Sequence, residues 1–69
     1  MNRTPVASSN VASVGYDAST LTLEVEFHSG SVYQYFDVPE AVFQELVSSE
    51  SVGTYLNQHI KNSYRYVQL

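Results

Sequence analysis

Lys61 and Arg65 stand four residues apart, and Arg65 lies between Tyr64 and Tyr66. A cation takes a phosphate oxygen and an aromatic ring stacks on an unpaired base, so these four residues are the best candidate site for RNA or another partner. Even with Arg3 added, three cations would give a single-strand salt slope of only about −2, which means weak binding by one copy. The competing reading is a solvated basic surface. Tyr33, Tyr35 and Tyr55 are further stacking candidates, yet tyrosines alternating along a strand opposite Leu and Val are also what a small core needs.

Catalytic and metal-ligating patterns are poorer. His28 and His59 are the only imidazoles, and no H-x-x-x-H or H-E-x-x-H spacing brings ligands together. His28 reads as a hairpin-loop residue and His59 as a helix-surface or core-edge residue. Ser51, His59 and Asp37 supply the residue types of a hydrolytic triad, but no nucleophile elbow or glycine-rich oxyanion loop goes with them. A small hydrolase is the remotest reading, because it needs Ser51, His59 and an acid within hydrogen-bond reach in one cleft. The expectation is a non-enzyme with neither metal nor cofactor. Cysteine is absent, which excludes disulfides, thiolate zinc sites and nucleophilic thiols and fits a reducing compartment.

At 69 residues the chain has room for one domain and not for a catalytic domain beside a binding domain. A chain this short buries only about 60% of its unfolded surface, so most apolar positions are needed inside. Its six Tyr and three Phe make it too aromatic for a disordered tail. No apolar run has the length of a signal h-region or a bilayer span, so a soluble, cytoplasmic domain without a membrane partner is expected. The net charge of −4 weighs against a surface that wraps nucleic acid. All seven acidic residues precede residue 51, however, and the segment after it carries only Lys61 and Arg65 as charges.

The elements that must position these groups follow from periodicity. Residues 1–10 read as a flexible lead-in outside the core, and 11–69 as the single domain. Val11–Tyr16 reads as a first strand. In Thr20–Phe27, Leu21, Leu23, Val25 and Phe27 alternate with Thr20, Thr22, Glu24 and Glu26, the period of a half-buried strand. Glu24 and Glu26 project together from the polar face, either solvated or able to receive a basic partner. His28, Ser29 and Gly30 form a three-residue hairpin loop, which sets Val25 opposite Tyr33 and Leu23 opposite Tyr35 and turns both tyrosines inward. Pro39 fits a first helical position, followed by a stripe of Ala41, Val42, Phe43, Leu46 and Val47. Ser51 caps a second helix with Val52, Tyr55, Leu56, His59 and Ile60 on one side, and Gly53 in its first turn suggests a close backbone approach or, second to it, a ligand near the helix N-terminus. Tyr64 to Leu69 has the composition of an extended tail or a final short strand.

Three patterns are then specific. Tyr33-Gln34-Tyr35, Val38-Pro39 and Ser51-Val52-Gly53-Thr54-Tyr55-Leu56-Asn57, with Val14-Gly15-Tyr16-Asp17 upstream and Ile60 downstream, resemble the KTSC domain family in order and spacing. The resemblance runs from about Val11 to the end of the chain. The family is named for its place at the C-terminus of some lysyl-tRNA synthetases, and its members also stand alone as small bacterial or phage proteins. The resemblance implies a domain of undetermined biochemical function, for which that attachment suggests RNA binding.

The expected fold is α+β: an antiparallel three-stranded meander, then two helices packed on one face, with the C-terminal segment available for a further short strand. The expected core is Val14, Leu23, Val25, Phe27, Tyr33, Tyr35, Val42, Phe43, Leu46, Leu56 and Ile60. The expected function is a non-catalytic binding module for RNA or a nucleoprotein complex, carried by Lys61, Tyr64, Arg65 and Tyr66. The alternative is a protein-interaction domain or homo-oligomer using a sheet edge or the aromatics Phe36 and Tyr66.

Overall fold

The computed structural model describes residues 2–69. The alternating segment builds the middle of the sheet: strand β3, Thr22–Phe27, is flanked by β2, Val11–Asp17, and β4, Val32–Tyr35. Leu23 pairs with Tyr35 and Val25 with Tyr33, the register that the three-residue loop requires. Gly30 sits at φ 97°, and the Phe27 amide donates to the Ser31 carbonyl across the loop. Tyr35 is buried, whereas Tyr33 is only half-buried.

Among the described residues the sheet has five strands in the order β1-β2-β3-β4-β5, all antiparallel, two beyond the expected three-stranded meander. The first added strand lies in the stretch expected to be a flexible lead-in. Arg3–Pro5 forms β1 on the edge of β2, and Val6 packs against the core. Pro5 hides such a strand from sequence reading, since it lacks an N–H, but an edge strand needs only half its amides. Residue 1 lies outside the described residues. The other added strand is β5, Tyr66–Gln68, the final short strand that the C-terminal composition offered, which returns after the helices to pair with β4.

Helix α1 spans Glu40–Ser48, with Pro39 one position earlier than expected, at the N-cap. Helix α2, Val52–Tyr55, is capped by the Ser51 hydroxyl, which accepts from the Thr54 amide at 3.3 Å. It then widens into a π-helical turn over Leu56–Ile60. Leu46, Val52, Leu56 and Ile60 pack with Val14, Leu23, Val25 and Tyr35 in one cluster, so the helical layer covers one face of the sheet. Tyr16 stacks on Phe43 with ring centroids 5.0 Å apart.

Three side chains join the expected core: Val11, Val38 and Val52 are buried, whereas Phe27, Val42 and Phe43, like Tyr33, are partly exposed around it. Strand β3 begins two residues late. Leu21 turns outward at φ 54°, and its carbonyl accepts the Val38 amide, so Val38 takes the buried place instead. Ala41 and Val47 of the expected stripe are exposed. Among the described residues no helix is long and apolar enough to cross a membrane.

Candidate binding cleft

On the helix-covered side, the layer stops short of the β4/β5 edge and leaves a cleft of about 460 Å³. Its aromatic wall is the cross-strand set that the register brings together. Phe27 meets Tyr33 edge-on at 5.6 Å, and Tyr66 lies 5.8 Å from Tyr33 and 5.7 Å from Tyr35. Burial, with Tyr33 and Tyr66 nearby, pushes the Tyr35 hydroxyl above its ordinary pKa, so Tyr35 presents a neutral phenol. Tyr66 is 54% exposed and forms the open rim.

The opposite wall comes from the π turn. Leu56 and Ile60 share its buried row, and Asn57 and Lys61, likewise four residues apart, share the next one, facing the cleft. The turn closes through the Lys61 amide, which donates to the Leu56 carbonyl at 2.9 Å. The loop before β2 and the β3–β4 hairpin form the end of the cleft, with Asn10, His28 and Ser31 lining it. Asn10 is fixed there because its backbone carbonyl accepts the His28 amide and its backbone N–H donates to Ser8 Oγ. None of the seven acidic residues lines the cleft.

The four residues singled out in the sequence are thus divided. Lys61 and Tyr66 meet in the cleft; Tyr64 packs against the core, and Arg65 lies over the Phe36 ring at 5.1 Å, away from the cleft. Adjacent residues of an extended segment point to opposite sides, so Arg65 and Tyr66 cannot serve one face. Sequence reasoning missed Asn10, Asn57 and the cleft role of Phe27. Asn57 was within reach of it, standing four residues before Lys61 on the same helical segment. Phe36, expected as an exposed aromatic, is half-buried under Arg65.

Other candidates are placed elsewhere. Arg3 reaches Glu24 at 3.4 Å and Glu26 at 3.8 Å on the far face of the sheet, where Gln34 and Ser13 donate to the same two carboxylates. The basic partner of that acidic pair is within the chain. Ser51 Oγ bonds Thr54 and His59 packs on Tyr55 at 4.6 Å; among the described residues no hydrogen bond joins Ser51, His59 and Asp37. No group of three metal-ligating side chains occurs among those residues either.

Residues 7–64 match the sequence profile of the KTSC domain. The chain belongs to the KTSC domain family. A crystal structure of a KTSC domain protein from Yersinia pestis superposes with a TM-score of 0.96 at 35% identity, covering 99% of this chain and 96% of that one. An uncharacterized protein of Stutzerimonas stutzeri is 45% identical over 96% of this chain and 94% of its own length. A lysine–tRNA ligase of Trichormus variabilis is 48% identical over 78% of this chain, which corresponds to only 10% of that ligase.

Proposed function

We propose that this KTSC domain is a non-catalytic module that binds single-stranded RNA in the cleft between β4/β5 and the π turn. The observation that carries the reading is the meeting of Lys61 with Tyr66, Tyr33 and Phe27 in a cleft that no carboxylate lines. In an acidic molecule this is the surface where an anionic strand meets a cation and exposed rings together. Stacking contributes about 1–3 kcal/mol per base whatever the base, which suits one or two unpaired nucleotides. The similarity to a segment of lysine–tRNA ligases supports RNA as the ligand class.

Arg3 is engaged by Glu24 and Glu26 and Arg65 by Phe36, so Lys61 alone neutralises a phosphate and the salt slope should be about −0.7. Fluorescence polarisation of labelled single-stranded RNA and tRNA, from low to physiological salt, tests this. Binding should be weakened about tenfold by Tyr66→Ala and also by Lys61→Ala, and left unchanged by Arg65→Ala. Absence of binding at low salt, or a loss confined to Arg65→Ala, would sink the proposal.

A second reading, protein interaction, is favoured by the contrast between the two sheet edges. β1 carries Arg3 and Pro5, both of which discourage strand pairing, while β5 carries neither charge nor proline and exposes Val67 and Tyr66. A partner adding a strand there would give binding insensitive to salt and to Lys61→Ala but sensitive to Gln68→Pro, whose amide faces away from β4.

A further inference from the structure

Four polar side chains of the cleft are not used by the fold, whereas His28 is tied to the Ser8 carbonyl and the Tyr33 hydroxyl donates to Gln68. The side-chain amides of Asn10 and Asn57, the Lys61 ammonium and the Tyr66 hydroxyl make no hydrogen bond within the described residues, yet all four residues line the same space. Both amides stand on fixed supports. Asn10 is held between Ser8 and the hairpin amide of His28, and Asn57 is carried by the π turn in line with Lys61. A π turn gives up regular α-helical geometry and occurs often at functional sites; here it carries the one amide of the helical wall, four residues before its one cation.

These groups define a chemistry. An amide offers both a donor and an acceptor, the complement of a base edge; an ammonium suits a phosphate; an aromatic wall with one exposed ring suits a base face. The cleft's 460 Å³ falls within the range of about 300–1,000 Å³ usual for small-ligand sites. It has no carboxylate to accept from sugar hydroxyls or to hold a cation. We infer that the cleft takes one nucleotide at a time, with its base against Tyr66 and Tyr33, its phosphate on Lys61 and its base edge read by the amides of Asn57 and Asn10. This rests on the RNA reading above and adds to it a unit of recognition and the residues that set base preference.

The test is a two-dimensional amide NMR titration of the whole chain with the four 5′-mononucleotides, run beside the RNA polarisation assay. Saturable shifts are expected at the Asn10 and Asn57 side-chain amides and at Lys61 and Tyr66, with affinities spread at least about fivefold among the four bases. Asn57→Ala, at an exposed position, should narrow that spread, and Lys61→Ala should weaken all four nucleotides alike. If an RNA oligomer binds through Lys61 and Tyr66 while mononucleotides leave the cleft unshifted, the single-nucleotide inference falls and the RNA module stands. If neither binds, both fall. Equal affinities for the four bases, or a spread that survives both Asn57→Ala and Asn10→Ala, would overturn the assignment of base reading to the amides.

Discussion

Tyrosine does three different jobs in this chain, and the hydroxyl distinguishes them. Tyr66 leaves its hydroxyl free at the cleft rim; Tyr16 donates to the Val38 carbonyl and ties β2 to the start of α1; Tyr55 donates to Glu45 Oε2 at 2.7 Å and bridges α2 to α1. The hydrogen bond to Glu45, with burial and the carboxylate's charge adding to it, pushes the Tyr55 hydroxyl up from its ordinary 10.0 to about 12. Burial raises Tyr16 and Tyr35 as well. Because the folded value lies above the unfolded one, the Tyr55 contribution is complete below pH about 10 and is lost as the pH climbs towards 12. The urea unfolding midpoint should therefore fall across that window, and Tyr55→Phe should fall less steeply. Equal slopes for the two proteins would show that the Glu45 bridge does not contribute. Residue types alone did not separate these roles, because Tyr55 and Tyr66 look the same until partners are known.

At the scale of elements, the sequence was most legible where one period ran unbroken. Leu23, Val25 and the loop ending in Gly30 led directly to the tyrosine-inward register. It was least legible where an element is short: β1 and β5 have three residues each, too few to show alternation, and their strand character comes from the neighbours they pair with. The π turn is invisible to an i, i+3, i+4 pattern because its buried pair, Leu56 and Ile60, fits a regular helix equally well. Gly53 illustrates a signal read too strongly. A Cβ there would meet Ser8 Oγ at 3.4 Å and Asn10 Nδ2 at 3.9 Å, ordinary contact distances, so the expected close approach still leaves room for a methyl group. Gly53→Ala should raise stability by up to about 1 kcal/mol through helix propensity. Gly30→Ala should lower it by about 1 kcal/mol although nothing lies within 4 Å, since φ 97° disfavours any side chain. Chemical denaturation of the two variants measures both, and a Gly53→Ala loss would mean that the approach of Ser8 is tighter than the static distance implies.

Across the whole molecule, charge is sorted locally. The far side of the sheet holds Glu24 and Glu26 with Arg3, α1 carries Glu40 and Glu45 on the helix-covered side, and the lining of the cleft has Lys61 without an acid. Arg3 on β1 thus holds the edge strand against the strand two places away, across Gly15, its own pairing partner. The pair is partly exposed, which limits its contribution to about 0.2–1 kcal/mol. The net charge of −4 acts against the compact state everywhere, and salt screens that repulsion over distances beyond a Debye length of about 10 Å. Wild-type thermal stability should therefore rise from low to moderate salt despite the screening of the Arg3 contacts. Arg3→Ala shifts the net charge from −4 to −5 and leaves two neighbouring carboxylates on one face without their cation. Its midpoint should lie below wild type at low salt and approach it as salt is added, since both the lost attraction and the exposed repulsion are screened. A deficit that stays constant with salt would instead assign the role of Arg3 to the packing of its aliphatic stem over the sheet, making β1 a hydrophobic strap rather than an electrostatic one.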